Sequence, residues 1–267
     1  MTKFLMCKPT HLHEISYQIN PFMKKGEKID NSLALKQHSN LVKILEENGA
    51  EVEFLEPQEG LIDMIFTANA GIVYGDKFIL PNFKHAERRS EVQHYMEWAR
   101  EQGYEVVSLP TDVFFEGRGD VTWIDDKNMF LGFGEMRTNY EAIDALQKVM
   151  PNVNIIPLRL VDERFYYLDT CLQILNNREF LYYKKAFDEL SVKKIEKEAS
   201  QKFTLAEDEA LTYICNSIKI GNKLVADKCR WVSESYLNYE GYQVQQVDLS
   251  ELRKGGGSAR CMVLEIG

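Results

Sequence analysis

No C-x-x-C pair joins any of the five cysteines, Cys7, Cys171, Cys215, Cys229 and Cys261, and their number is odd. A disulfide framework is therefore not expected, and reduced thiols in a cytoplasmic compartment are. The opening stretch MTKFLMCKPTHLHE has no apolar core of signal-peptide length, and no run approaches the span of a bilayer. The expectation is a soluble, intracellular chain with no membrane partner. Basic charge is also short: 32 Lys and Arg stand against 41 Asp and Glu, a formal net charge of -9. Such a surface offers no excess cation to a nucleic acid, so a small and preferably cationic ligand suits it better. A homo-oligomer is compatible with everything in the sequence.

What is present is a repeat of organisation. Gly71–Pro81 reads as two strands about a Gly-Asp turn, Glu87–Gln102 has helical periodicity, and Glu105–Leu109 is a short apolar strand. The order returns with a hairpin at Val121–Phe133, a helix at Asn139–Met150 and a strand at Val153–Pro157. It returns again as a hairpin at Cys171–Tyr183 turning at Asn176-Asn177, a helix at Asp188–Ser200 and a strand at Lys202–Ala206. A fourth round places a turn at Gly221-Asn222 within Ser217–Asp227, a helix at Arg230–Tyr239 and a strand at Tyr242–Val247. The fifth is split between the termini: Cys261–Ile266 pairs with Phe4–Cys7, followed by the helix Ser32–Asn48 and the strand Glu51–Leu55. Hairpin starts at Gly71, Val121, Cys171, Ser217 and Cys261 are spaced by 50, 50, 46 and 44 residues. A period in this range with circular closure predicts one ring-like α/β domain of five strand-strand-helix-strand units over residues 1–267.

Chemistry-bearing residues gather just ahead of the hairpins. Asn69 precedes the first, Glu116 and Asp120 the second, Asp169 the third, and Cys261 begins the last, after the glycines Gly255, Gly256 and Gly257. Equivalent phases around a pseudo-symmetry axis would bring them to one cavity. Carboxylates alone raise a thiol's pKa, and a bound cation reverses that. A guanidinium fits best, because its planar fork matches two carboxylates and its central carbon is open to thiolate attack. With the glycine loop alone, a buried structural cysteine would be the simpler reading.

The motifs FTANAG (Phe66–Gly71), FEGRGD (Phe115–Asp120), GFGEMRTN (Gly132–Asn139), FYYLDTC (Phe165–Cys171) and GGGSARCMVLEI (Gly255–Ile266) resemble those of the guanidine-modifying superfamily. That superfamily includes arginine deiminases, dimethylargininases, amidinotransferases and arginine dihydrolases. The likeness extends over essentially the whole chain and is strongest toward the dihydrolases. It implies a five-bladed α/β propeller and a hydrolase of arginine or a related guanidine, working without metal or organic cofactor. Cys261 is then the nucleophile, forming a covalent amidino intermediate. Glu116 and Asp169 hold the guanidinium, Asp120 supports the loop, Arg88 and Arg137 meet the substrate carboxylate, and Asn20 and Ser258 line the pocket. Asn69 stands where deiminases have aspartate; a neutral amide can also hydrogen-bond a ureido group, which admits citrulline and a second round to ornithine.

One residue departs from the pattern. Where the superfamily reads His-x-Asp, this chain reads Tyr167-Leu168-Asp169. Bringing a phenol from a pKa of about 10 to neutrality takes roughly 4 kcal/mol of environment, and nearby carboxylates work against it. Tyr167 can donate a hydrogen bond or act as an acid, and it makes a poor base. Three readings follow: a hydrolase with altered acid/base chemistry, an enzyme for another substrate whose leaving group needs less help, or a ligand-binding homologue; an amidinotransferase, with an acceptor amine in place of water, is the alternative enzyme class. His11, His13, His38, His85 and His94 read as surface or core-satisfied histidines, with His13 the first to test, and His11-x-His13 lacks the further ligands of a metal site. Lys193–Glu198 has the mixed signs of a solvated helix face.

Overall fold

The computed structural model describes residues 1–176 and 178–267. Its order of elements is that of the repeat. Strands β1 (Lys3–Cys7) and β2 (Glu51–Leu55) flank the helix α1 (Asn31–Glu47), and β3 (Ile72–Tyr74), β4 (Lys77–Ile79), α2 (Val92–Glu101) and β5 (Glu105–Val107) follow. Next come β6 (Val121–Asp125), β7 (Asn128–Phe133), α3 (Ala142–Val149) and β8 (Asn154–Arg159), then β9 (Leu172–Ile174), β10 (Glu179–Tyr182), α4 (Glu189–Glu198) and β11 (Gln201–Thr204). A short helix α5 (Glu207–Ala210) precedes β12 (Ile218–Ile220), β13 (Lys223–Ala226), α6 (Trp231–Tyr239) and β14 (Gln243–Gln246), and β15 (Leu264–Glu265) closes the chain.

The strands form five three-stranded sheets, each with one antiparallel and one parallel pairing about its central strand. The split unit is real: Leu5 pairs with Leu264 antiparallel and with Glu53 parallel. The pattern follows from connection length, since a tight turn joins antiparallel neighbours and a helix is needed to return a strand parallel. Gly75 and Gly221, at φ +60° and +58°, supply the left-handed backbone that two of the hairpin turns require. The third hairpin's predicted turn includes Asn177, which lies outside the described residues.

Two helix starts show how the sequence sets local structure. Asp30 and Asp188 cap α1 and α4, accepting from Leu33 N at 3.0 Å and Ser191 N at 2.8 Å. The periodic stretch at Glu87–Gln102 divides into a 3-10 segment, Ala86–Glu91, and then α2. In 3-10 geometry residues three apart eclipse, and there Arg88 and Glu91 form a buried ion pair at 2.8 Å.

The chain separates into two compact units: Met1–Ala68 with Ala206–Gly267, and Asn69–Leu205. The first contains two sheets and buries one apolar cluster, in which Leu41 and Leu45 of α1 pack with Met6, Ile65, Phe66 and Met262. The second contains three sheets, with a cluster that includes Phe115, Val121, Leu131 and Leu146.

A further regularity concerns the segment ahead of each unit's first strand. Every one is a turn of 3-10 helix: Thr67–Ala70, Gly117–Gly119, Leu168–Thr170, Ile214–Asn216 and Arg260–Met262. Cys261 therefore does not begin a strand, as its apolar neighbours suggested. Ala259 is helical, Met262 N and Val263 N reach back to Ala259 O and Arg260 O at 3.1 and 3.2 Å, and only then does the backbone extend. Among the described residues, no disulfide joins any of the five cysteines. Among the described residues, no helix is long and apolar enough to cross a membrane.

Candidate active site

In the first unit the thiol of Cys261 is buried at 3% exposure and faces an amide that the sequence motifs did not mark. Asn216 Nδ2 donates to Cys261 Sγ at 3.1 Å, while Cys261 N donates to Asn216 Oδ1 at 3.2 Å. One carboxamide thus grips both the backbone and the sulfur, and an N–H aimed at sulfur favours the thiolate. Asn216 ends the 3-10 turn Ile214–Asn216, entered through Tyr213 in the left-handed region at φ +63°. It lies one residue past the phase that Asp169 and Cys261 hold, each being central in its own three-residue turn, so the period did not mark it. Thr67 Oγ1 pins the same region, with Leu5 O and Met262 O each 2.8 Å away.

The glycine loop is shaped by what lies against it. A Cβ on Gly257 would stand 2.4 Å from the Phe66 ring and 3.1 Å from Cys261 Cβ, and one on Gly256, at φ +94°, would strike the Asn20 amide at 2.5 Å. Asn20 is taken up by this architecture: Nδ2 donates to Gly255 O at 3.2 Å, and Oδ1 accepts from Phe22 N and Met23 N at 2.9 and 3.1 Å. Its observed role is to hold the loop. Ser258 is completely buried, and its hydroxyl has no hydrogen-bond partner among the described residues.

The second unit assembles the charged groups. Glu116, Asp120 and Asp169 are all completely buried, the first two flanking the turn Gly117–Gly119 and the third within Leu168–Thr170. Glu116 is engaged on both oxygens: Lys84 N donates to Oε1 at 3.1 Å, and on Oε2 it meets the Tyr167 hydroxyl and, at 3.4 Å, Arg137 Nη1. Asp120 accepts from Thr138 Oγ1 at 2.7 Å and Leu168 N at 3.1 Å, which ties three loops together. Burial pushes its carboxyl well above the usual range, with the Glu116 carboxylate adding to the effect.

Arg88 is a strut. Its Nε and Nη2 take both oxygens of Glu91 at 3.0 and 2.8 Å, and Nη1 reaches Asn69 Oδ1 at 2.9 Å and the Tyr167 hydroxyl at 3.4 Å. Asn69 in turn donates through Nδ2 to Glu116 O at 3.0 Å. An aspartate at 69 would lose that donor and face Arg88 as an ion pair, so the asparagine fits this network as a two-sided bridge. Arg137 sits about equally over the rings of Tyr166 and Tyr167, at 5.2 and 5.1 Å, and borders a cavity of about 250 Å³ that also touches Thr138, Arg159 and Asp162.

Tyr167 is locked between Glu116 and the two arginines. Burial first, and then the Glu116 carboxylate, hold its phenol well above 10, against the pull of Arg137. It stays protonated and donates. Of the histidines, His13 is exposed on its loop, and His38 is buried on α1, where burial and Lys8 lower it to about 4. His85 differs from the expectation of a surface or satisfied ring. Its Nε2 is buried without a hydrogen-bond partner, and Arg137 and Glu116 both act on it electrostatically. Among the described residues, no group of three or more His, Cys, Asp or Glu could hold a metal ion.

Comparison with known proteins gives the family. Residues 9–267 match the family described as N,N dimethylarginine dimethylhydrolase, eukaryotic. The bifunctional arginine dihydrolase/ornithine cyclodeaminase AgrE of Nostoc sp. is 37% identical over 99% of this chain, which spans 38% of AgrE. The N(G),N(G)-dimethylarginine dimethylaminohydrolase of Mycobacterium tuberculosis is 31% identical over 97% of this chain and 84% of its own length. Among solved structures, the N-terminal domain of ArgZ covalently bound to a reaction intermediate superposes with a TM-score of 0.95 at 32% identity, over 100% of this chain and 98% of that one. The chain belongs to the dimethylarginine dimethylhydrolase family of guanidine-modifying proteins.

Proposed function

We propose that this member of the family is a hydrolase of the guanidino group of arginine or a closely related amino acid, working through a covalent intermediate on Cys261. The sheets close as one five-bladed α/β propeller over residues 1–267, in a reducing compartment such as the cytoplasm, and the five 3-10 turns converge on its axis. Support for convergence comes from the common order of all five sheets and from a site residue at or beside each turn. Cys261 Sγ bonds to the guanidinium carbon, ammonia leaves, and water then displaces the sulfur to give a ureido product. A second round on that product releases ammonia and carbon dioxide and leaves ornithine, and Asn69 is the residue that tolerates the neutral intermediate.

The observation that carries this reading is the pair formed by Arg137 and Glu116, both almost fully buried. Glu116 already holds a guanidinium, the protein's own, with Arg137 Nη1 3.4 Å from its Oε2. A ligand with a guanidinium alone would compete with Arg137 for that carboxylate and bring nothing to offset the buried charge it displaces, an unfavourable exchange. Free arginine brings both partners: its guanidinium takes Glu116 and Asp169, and its carboxylate takes Arg137 beside the cavity. Arg88, committed to Glu91, orients Asn69 and Tyr167, and the Ser258 hydroxyl lines the pocket.

Tyr167 favours a second reading, a homologue that binds the amino acid and does not turn it over. Incubation with arginine and with its decarboxylated amine, followed by mass spectrometry of small molecules, decides between them. Ornithine or citrulline from arginine alone supports the hydrolase. Protection of Cys261 from alkylation by arginine, with no product, supports the binding homologue; equal turnover of the decarboxylated amine contradicts the role given to Arg137.

A further inference from the structure

Arg159 ends β8, and its backbone is tied down on both sides: its N–H accepts no freedom, donating to Ser191 Oγ at 2.7 Å, and its carbonyl accepts from Asp188 N at 3.3 Å. Its side chain is exposed and, among the described residues, makes no ion pair or hydrogen bond. Strand pairing sets this uncommitted cation against the turn that carries Arg137. Phe133 of β7 pairs with Arg159, Leu160 N donates to Phe133 O at 2.8 Å, and a Cβ on Gly134 would stand 2.9 Å from Leu160 O. Glycine at 134 thus lets the turn 134–138, closed by Gly134 N donating to Thr138 O at 2.9 Å, lie directly on the end of β8. Between that turn and the segment 159–166 lies the cavity of about 250 Å³, with both Arg137 and Arg159 in its wall.

The acids of the same wall leave the Arg159 charge unmatched. Asp162 is held by Arg164, whose Nε and Nη2 reach its two oxygens at 2.9 and 2.7 Å. Asp120 is completely buried against Thr138 Oγ1 and Leu168 N, and burial raises its pKa, which weakens its negative charge. Glu135 and Glu163 are exposed. We propose that this cavity binds the carboxylate of an α-amino acid, with Arg159 as the second cation opposite Arg137 and the exposed carboxylates Glu135 and Glu163 suited to the ammonium group. The proposal deepens the reading of arginine as the ligand and rests on it.

Two guanidinium forks can each meet one carboxylate through paired N–H bonds, and the planar fork is what a lysine would lack. A phosphate-bearing ligand fits less well, because Glu135 and Glu163 share the wall. At about 250 Å³ the cavity takes a compact ligand end, just under the usual range of about 300–1,000 Å³ for small-molecule sites. The carboxylate can come from two sources: the arginine whose guanidinium Glu116 receives, or a separate amino acid bound beside it. The exposure of Arg159 makes its share modest and sensitive to salt.

The test is titration calorimetry of the full chain carrying Cys261→Ser, which stops the heat of turnover, alone and combined with Arg159→Gln or Arg159→Lys. The ligands are arginine, its decarboxylated amine and norvaline. Arg159→Gln should weaken arginine by about tenfold and the decarboxylated amine by less than about twofold, and Arg159→Lys should recover part of the loss. The thermal melt should stay unchanged, since the side chain is exposed and touches no core. Norvaline that displaces arginine, or does not bind, assigns the carboxylate to arginine itself. Norvaline that binds alongside arginine and weakens in Arg159→Gln assigns it to a separate amino acid. Equal weakening of arginine and its amine, or no change in either, overturns the role of Arg159, and so does an absence of binding by both arginine and norvaline. Binding with the expected dependence on Arg159 but no turnover by wild type removes the hydrolase reading and leaves this site standing.

Discussion

The two compact units handle polar chemistry in opposite ways. Around Cys261 the first unit uses neutral groups, the amides of Asn216 and Asn20 and the hydroxyl of Thr67, with glycines setting how closely the backbone packs on Phe66. The second buries Glu116, Asp120, Asp169, Arg88, Glu91 and Arg137, and joins charge to charge. A nucleophile needs a chosen position, which neutral dipoles and tight packing supply without placing a like charge beside the sulfur. Recognition of a zwitterion needs fixed charges of both signs, and these survive burial only when paired.

The largest break in that contrast should come from Glu116→Gln. It keeps an acceptor oxygen for only one of the hydrogen bonds from Lys84 N and Tyr167 and removes the charge that faces Arg137, so kcat/KM for arginine should fall by about 10²-fold or more and unfolding stability by about 3 kcal/mol. Denaturant melts beside kinetics check both. Next is packing in the first unit. Gly257→Ala places a methyl 2.4 Å from Phe66 and should destabilise by about 2 kcal/mol. Adding Phe66→Leu should recover part of that loss, so a double-mutant cycle with strictly additive melts would contradict the contact.

Acid should separate the units by sign. His38 in the first has its pKa lowered to about 4 by burial and then Lys8, so its contribution is full above the unfolded value of 6.5 and is lost as pH falls toward 4. At pH 5 the loss should be about 2 kcal/mol, and His38→Gln should flatten it in urea melts. Asp120 in the second has its pKa raised by burial, so the folded state takes up its proton first and stability gains as pH falls through that raised value. Asp120→Asn should remove that gain. The smallest effect is expected at Asn216→Ala, which takes the donor from Cys261 Sγ and should slow alkylation of Cys261 at pH 7 by about tenfold.

Much of this was legible because it is local. Turn residues, helical periods and the spacing of 44 to 50 residues marked the five units, and Leu5 pairs with Leu264 as the split fifth unit required. What escaped depends on contacts between distant segments. Cys-Met-Val-Leu reads as strand, since the hydrogen bonds that wind Arg260–Met262 into a turn leave no periodic trace. Asn216 stands in no chemical motif, and it falls one residue past the phase shared by Asp169 and Cys261. His85 looked like a surface residue because the bond that draws its neighbour Lys84 onto Glu116 spans 32 positions. Arg88 and Asn69 each seemed to face substrate, while the structure links them to each other.

The most direct measurement is the conversion of arginine by the wild-type chain and by Cys261→Ser, read as ornithine, citrulline and ammonia. Ornithine with two ammonia per arginine from wild type, and at least about a 10³-fold loss in Cys261→Ser, is the result predicted for a thiol hydrolase that proceeds through both rounds. Equal product from the two proteins, or none from wild type while Cys261 is left unprotected by arginine, would contradict it.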